Sequence, residues 1–243
     1  MIWDVPVKPA QGIRARARAA LTDEIKRAAT RQIAEAGAAG VSLRAIAREL
    51  GMVSSALYRY YSSRDELLTA LIVDAYSDVA GAAEQAVREP GEFVARWVAM
   101  ACGIRDWARA HPHDYALIYG SPVPGYRAPA ETIPAAARVA LVPLGLLEEG
   151  FRSGQIRAEP MQAIPSVVQN DLSALGAGLG LDAPEDVLAR GLAAWSQLLG
   201  SISLELFGHL HNVVHDYDAF FVFQMTYAAR RLATPPLPEH LAR

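Results

Sequence analysis

Apolar residues recur along this chain at spacings of three and four and almost nowhere in strict alternation. That period belongs to helices, and no run has the pattern of a strand meander. The spacing predicts nine or ten helices and an all-α fold. Leu21, Ile25, Ala29 and Ile33 make one buried stripe over about 18–36, with Gly37 as the C-terminal stop. Ser42 is a suitable N-cap for a short helix over 43–50, Gly51 breaks it, and a second short helix follows over 54–61. Ser63 and Glu66, three residues apart, form a capping box for a long helix over 65–86. Phe93, Trp97, Met100, Ile104 and Trp107 define the next stripe, which His111-Pro112 ends. A short segment holds Tyr115 and Tyr119. Pro122, Pro124, Pro129 and Pro134 mark a loop. Helices resume over 134–152 and 161–179, where Pro143 and Pro165 are expected kinks or breaks. Two more span 184–208 and 217–232. No internal repeat or low-complexity tract is present.

The stretch 42–61 predicts a helix-turn-helix. Gly51 lies where a tight turn between two short helices needs a positive φ. Ala47 lies four residues earlier, where a larger side chain would push crossing helices apart. Ile46, Leu50, Met52 and Leu57 supply the buried faces, and Tyr61 lies one turn beyond Leu57. Seven-residue helices cannot bury such faces alone, so the first helix and Leu67, Leu68 and Leu71 must close the core. That leaves Ser54, Ser55, Tyr58, Arg59 and, at the edge, Tyr60 pointing outward. Serine and alanine at the start of a helix allow close approach to a major-groove floor. Tyrosine hydroxyls can donate to phosphate, and arginine can reach phosphate or base.

Charge sharpens this picture. The net charge of −3 over 243 residues argues against a nucleic-acid binder, but its distribution does not. Residues 10–64 hold ten Lys and Arg against four Asp and Glu, whereas 76–243 hold 12 against 18. A basic head on an acidic body is the asymmetry expected when only the head meets phosphate. Composition, 52% hydrophobic and 20% charged, is that of a globular protein. The single cysteine, Cys102, is expected to be a small core residue and fits a reducing cytoplasmic setting. The start "MIWDVPVKPA" lacks the apolar run of a secretory signal, and no unbroken apolar stretch of about 18 residues suggests a membrane span.

Residues 20–70 resemble the DNA-binding domain of the tetracycline-repressor (TetR/AcrR) family of bacterial regulators. The resemblance rests on Ile33, Gly37, "VSLRAIARELG", "LYRYY" and "SSRDELL". It implies an N-terminal three-helix head, joined by its fourth helix to a larger body that binds an effector and dimerises. The expected divisions are an arm over 1–19, a DNA-binding domain over 20–64 and a body over 65–243 with 65–86 as connector. By position, Ser42 and Arg44 would touch phosphates. Val53, Ser54, Ser55 and Ala56 would open the recognition helix, and Tyr58, Arg59 and Tyr60 would lie along backbone or groove. Arg64 stands where the family usually has lysine, and would hold another phosphate. Val53 departs from the family's serine or threonine cap, so Ser54 is expected to cap instead and the helix to begin one residue later. Arg14, Arg16 and Arg18 share a face only in an extended arm, which would suit a minor groove; the alternative is a charged helix start.

The helix over 184–208 carries two stripes. Leu188, Leu192, Trp195, Leu199, Ile202 and Leu206 are apolar; Ala189, Ala193, Ser196, Gly200 and Ser203 are small and permit close helix approach. With the resemblance, this implies a homodimer through 184–208 and 217–232, where Phe220, Phe221 and Met225 add apolar area. Its two heads would read a double-stranded near-palindromic operator about 34–36 Å apart. Trp97, Trp107, Tyr115, Tyr119, Phe151 and Trp195 could line an apolar cavity, with Asn170 and Asp171 as polar anchors for a small-molecule effector. His111, His113 and Asp114 cluster, as do His209, His211 and His215, the last two at helical i,i+4 ligand spacing; helix-end histidines are commonplace, and no metal or cofactor is assigned. No catalytic residue is assigned either, since phosphate loop, nucleophile elbow and metal signature are all absent. The resulting expectation is a transcription regulator, most simply a repressor. The competing expectations are an all-helical enzyme and an effector-independent architectural DNA-binding protein.

Overall fold

The computed structural model describes residues 12–159 and 164–233, and every described element of any length is helical. The order is α1 (Ile13–Ala36), α2 (Leu43–Glu49), α3 (Ser54–Leu57), α4 (Arg64–Ala86), α5 (Phe93–Ala110), α6 (Pro112–Tyr119), α7 (Ile133–Arg152), α8 (Ser166–Leu179), α9 (Glu185–Leu206) and α10 (Tyr217–Leu232). Short 3-10 turns at Ala38–Gly40 and Ala130–Thr132 precede α2 and α7. The chain divides into two compact units. One runs through Leu71 and takes in the loop Pro122–Arg127; the other holds the remainder. The loop's place in the first unit departs from the simple division at residue 64.

In the first unit α1 begins at Ile13, five residues before its expected start. Gly12 precedes it at the N-cap, where glycine is tolerated, and makes no side-chain cap. Arg14, Arg16 and Arg18 therefore lie on a helix, and the extended reading of these residues is overturned. The part of the expected arm at 1–11 lies outside the described residues. Ile25, Ala28, Ala29 and Ile33 pack inward with Leu43, Ile46, Ala47, Leu57, Tyr61, Leu67, Leu68 and Leu71. Gly37 ends α1 at φ 71°, its amide bonded to the Ile33 carbonyl.

In the second unit α10 packs on α5 and α9, α7 packs on α5 and α9, and α8 rests on α9. Trp97, Met100, Ile104, Tyr115, Leu147, Leu188, Leu198, Ile202 and Met225 form its core. α7 and α9 approach closely at Gly191, where an added Cβ would lie 2.2 Å from Leu147 Cδ1. Pro143 is buried within an uninterrupted α7, so the expected break does not occur there. Pro165 instead precedes α8, which begins at Ser166 rather than 161; residues 161–163 lie outside the described set. The segment Ala130–Arg152 is long and apolar enough to cross a membrane by length and composition. It carries the Arg138–Glu84 ion pair and a buried Glu148, whose carboxylate accepts from the Asp182 and Ala183 amides.

Two expected faces are corrected by the packing. α9 buries Val187, Leu188, Gly191, Ala194, Leu198, Ser201 and Ile202, so Leu192 is not on its buried stripe but exposed. On α10, Phe221 (2% exposed) and Met225 (0%) belong to the chain's own core and cannot face a partner; Val222, Phe223 and Tyr227 are the exposed large apolar residues.

Candidate nucleic-acid interface

Ser42 caps α2, its hydroxyl accepting the Ala45 amide at 3.4 Å, while its own amide donates to Gln32 Oε1 at 3.0 Å on α1. The start of α2 is thereby fixed to the first helix. Gly51 turns the chain at φ 65°, and the Met52 amide bonds back to the Ala47 carbonyl at 2.8 Å. A residue with a Cβ is strained in that left-handed region, which accounts for glycine here. Ala47 is buried at this crossing.

α3 is a single turn, shorter than the expected 54–61. Tyr60 and Arg59 follow it with amides bonded to Leu57 and Ala56, an i→i−3 pattern that tightens the chain and ends the α-helix. Val53 occupies the N-cap position with an extended backbone and no side-chain bond. Ser54 is already inside the helix, so the expected transfer of the cap to Ser54 does not occur. The first turn therefore begins without a side-chain cap.

The inward and outward sets separate cleanly. Leu57 (0% exposed) and Tyr61 are buried; Val53, Ser54, Ser55, Tyr58 and Arg59 are exposed, and Ala56 and Tyr60 are half-buried. Arg44 is exposed on α2. The Arg18 guanidinium lies over the Tyr60 ring, 5.1 Å from its centroid. Nine of the ten residues expected at the interface thus keep an outward or edge position. Arg64 differs: it is half-buried, its Nη2 donates to the Ala38 carbonyl at 3.0 Å, and its Nε is buried without a partner. Its guanidinium ties the start of α4 to the turn after α1. That long-range bond has no signature in local sequence.

At the start of α4, the Glu66 amide donates to the Ser63 hydroxyl at 3.1 Å, as a capping box requires. The reciprocal bond reaches one residue further back than expected, to the Ser62 amide (2.6 Å) and hydroxyl (2.7 Å). The Ser62 hydroxyl and then its amide hold the Glu66 carboxyl below its ordinary pKa.

The seven residues expected around an effector divide. Trp97, Trp107 and Tyr115 are buried in the core of the second unit, and Tyr119, Phe151 and Trp195 are half-buried against it. Asn170 is exposed on α8, as is Asp171, because α8 buries only Leu172 and Gly176; neither can anchor a ligand among the aromatics. Tyr115 donates to the Leu199 carbonyl at 3.0 Å and meets the Ser203 hydroxyl at 2.9 Å. Its proton being used on the carbonyl, Ser203 is the donor to it. Burial raises the pKa of Tyr115, and that of Tyr119 further, against Tyr76 and Tyr115. The indole N–H groups of Trp97 and Trp107 are buried with no hydrogen-bond partner. A separate pocket of about 150 Å³ is lined by Gly91, Phe93, Arg96, Leu146, Glu149, Gly150, Ser153 and Gln155, none of them an expected effector contact. His211 and His215 lie in the turn and bend after α9, not on a helix, so the i,i+4 premise for a ligand pair fails.

Comparison with known proteins gives the family. The family profile "Bacterial regulatory proteins, tetR family" matches residues 25–71, and "Tetracyclin repressor-like, C-terminal domain" matches 97–227. The chain is 42% identical over 234 residues to the HTH-type transcriptional regulator Rv1816 of Mycobacterium tuberculosis, covering 94% of this chain and 97% of that one. The HTH-type regulator Mb1846 of Mycobacterium bovis matches to the same extent. Among solved structures, the regulatory protein SCO4313 is 34% identical with a TM-score of 0.72, covering 89% of this chain and 98% of the other. A protein of unknown function from Rhodococcus sp. RHA1, at 23% identity and TM-score 0.68, shares the fold.

Proposed function

Because the chain belongs to the TetR family of bacterial transcriptional regulators, and is not an enzyme, we propose that it is a dimeric repressor that binds a near-palindromic operator and is released from it by a small-molecule effector. The observation that carries the DNA reading is the division of one short element: Leu57 and Tyr61 inward, Ser54, Ser55, Tyr58 and Arg59 outward. Ser54, Ser55 and Ala56 approach the groove floor, and Arg44, Tyr58 and Arg59 reach phosphate or base. Ser42 adds its hydroxyl proton, which its capping role leaves available. Arg64 contributes to positioning more than to phosphate contact.

Dimerisation is supported by the exposed apolar and small residues of α9 and α10, with Leu192, Ala193, Ser196 and Gly200 on one helix and Val222, Phe223 and Tyr227 on the other. Effector binding is supported by the unpartnered indole N–H groups of Trp97 and Trp107, donors that a polar ligand group would satisfy. α4 runs from the DNA-binding unit into the body, so it is the covalent route by which the two events couple. By linkage, effector and operator then weaken each other's binding equally.

Selection of DNA sites from a random library by the full chain, in the cytoplasmic salt range, tests the reading. A two-fold-related pair of half-sites is expected, with a preference that Ser55→Leu abolishes. Binding without sequence preference would sink it, as would a preference that Ser55→Leu leaves unchanged.

A further inference from the structure

Three arginines at the start of α1 remain outside the operator-reading surface. Arg14, Arg16 and Arg18 occupy its first two turns, all exposed, and no acidic residue lies in the first turn. The arrangement is unfavourable for the helix alone. Cations near a helix N-terminus oppose its dipole. Arg14 and Arg18 form an i,i+4 pair of like charge, which is destabilising rather than supportive. Arg16 points about 160° away from each of them, and its own i+4 neighbour is Ala20. Nothing on the helix neutralises Arg14 and Arg18; an anion from outside would.

The Arg18–Tyr60 contact places that anion. The guanidinium is 5.1 Å from the ring centroid of the residue that closes the reading element, a cation–π contact, and Arg18 is itself exposed. Tyr60 follows directly on Tyr58 and Arg59, so Arg18 continues their surface, and Arg14 extends it by one turn, about 6 Å along the helix axis. We propose that the first two turns of α1 form a backbone clamp, in which Arg14 and Arg18 hold DNA phosphates flanking each half-site, outside the base pairs read by α3. Arg18 also positions the Tyr60 ring. Arg16, on the other face, takes no part. The clamp rests on the operator-binding reading and widens its footprint.

The test uses the full chain and the duplex selected from a random library, in two lengths. One ends at the outer base pairs of the half-sites; the other carries about ten further base pairs on each side, roughly one helical turn. Each phosphate contact contributes about 0.9 to the salt slope of log K, so Arg14→Gln, removing one contact per subunit, should lower the slope on the long duplex by roughly 1.8. The corresponding loss of affinity is roughly ten- to thirty-fold at physiological salt. Arg16→Gln, the same change of charge on the opposite face, should leave slope and affinity near those of the wild type. On the short duplex Arg14→Gln should match the wild type. Equal effects of Arg14→Gln and Arg16→Gln would overturn the clamp, as would an equal Arg14→Gln loss on both lengths, while leaving the operator reading standing. Failure to select any sequence would overturn both.

Discussion

Tyr126 donates its hydroxyl proton to Thr69. The two oxygens are 2.9 Å apart, and the Thr69 hydroxyl already gives its single proton to the Asp65 carbonyl at 2.9 Å, one turn back on α4. Thr69 is buried. The bond fastens the loop Pro122–Arg127 to the unit that contains α1 to α3, although the residues on either side of the loop belong to the other unit.

Tyr126→Phe removes the donor and keeps the ring, while Thr69 retains its bond to Asp65. A loss of about 0.5–1.5 kcal/mol is expected, confined to the loop. It should appear as faster hydrogen exchange of the loop amides, with exchange in α2 unchanged. Thr69→Ser keeps the hydroxyl and should exchange like the wild type. Unaltered loop exchange in Tyr126→Phe would mean that the bond contributes nothing to holding the loop.

Much of the first unit was legible because its signals are local. Ser42 stands where a cap must stand, Gly51 where φ must be positive, and the spacing of Leu57 and Tyr61 fixes which side of α3 is inward. What failed needed tertiary knowledge. The run Phe220-Phe221-Val222-Phe223 is apolar on every side, so periodicity could not choose between Phe221 inside and Phe223 outside, about 160° apart. Asn170 and Asp171 sit among apolar neighbours, but α8 touches little beyond α9, so those neighbours are themselves exposed. The Arg64 bond to Ala38 spans 26 residues and leaves no local trace.

Arg105 and Glu205 form a bidentate pair in the body, Nε to Oε2 at 2.7 Å and Nη2 to Oε1 at 2.8 Å, with side chains 5% and 9% exposed. Removing one member of such a pair strands the other charge, at a cost of roughly 3–5 kcal/mol. The two single changes should differ. Arg105→Met leaves Glu205 with only Arg109 Nε at 3.8 Å, whereas Glu205→Leu leaves Arg105 with Asp218 at 2.8 Å. Arg105→Met is therefore the more damaging, and the double change Arg105→Met with Glu205→Leu should recover most of the loss. Urea unfolding of the three variants checks the order; a double variant as unstable as the sum of the singles contradicts it.

Asp114 carries the opposite kind of electrostatics. Burial raises its pKa from the ordinary value; His111 and His113 lower it, and Asp78 and Asp74 raise it, with a net upward shift. In the window between the unfolded value, about 3.9, and the raised native value, the folded chain binds more protons than the unfolded one. Its contribution to stability therefore grows as pH falls through that window and is lost as pH rises through the native pKa. Asp114→Asn removes the penalty at neutral pH, so its Tm should exceed the wild type's at pH 7, and the difference should shrink toward pH 4. A difference independent of pH would show that the carboxyl titrates alike in both states.

Phe223 is 64% exposed on α10, and Gly200 on α9 has open space where a Cβ would stand, nothing lying within 4 Å. Neither position is used by the packing within one chain, so substitutions there separate folding from association. Gly200→Leu and Phe223→Glu should leave helical content and thermal unfolding of the subunit nearly unchanged, surface substitutions away from special features being worth about ±0.5 kcal/mol. Both should weaken the proposed dimer, Gly200→Leu by blocking the close approach of α9 to its copy and Phe223→Glu by burying an unpaired carboxylate. Phe221→Ala, by contrast, opens the chain's own core and should cost about 3–5 kcal/mol whatever the oligomeric state. Sedimentation velocity across a concentration series reads the association, and circular dichroism reads the fold. If Gly200→Leu and Phe223→Glu sediment like the wild type at every concentration, subunits do not meet through α9 and α10. The proposed pair of heads would then need another surface to reach one operator together, since salt-dependent affinity grows with each phosphate contact and a second head doubles their number.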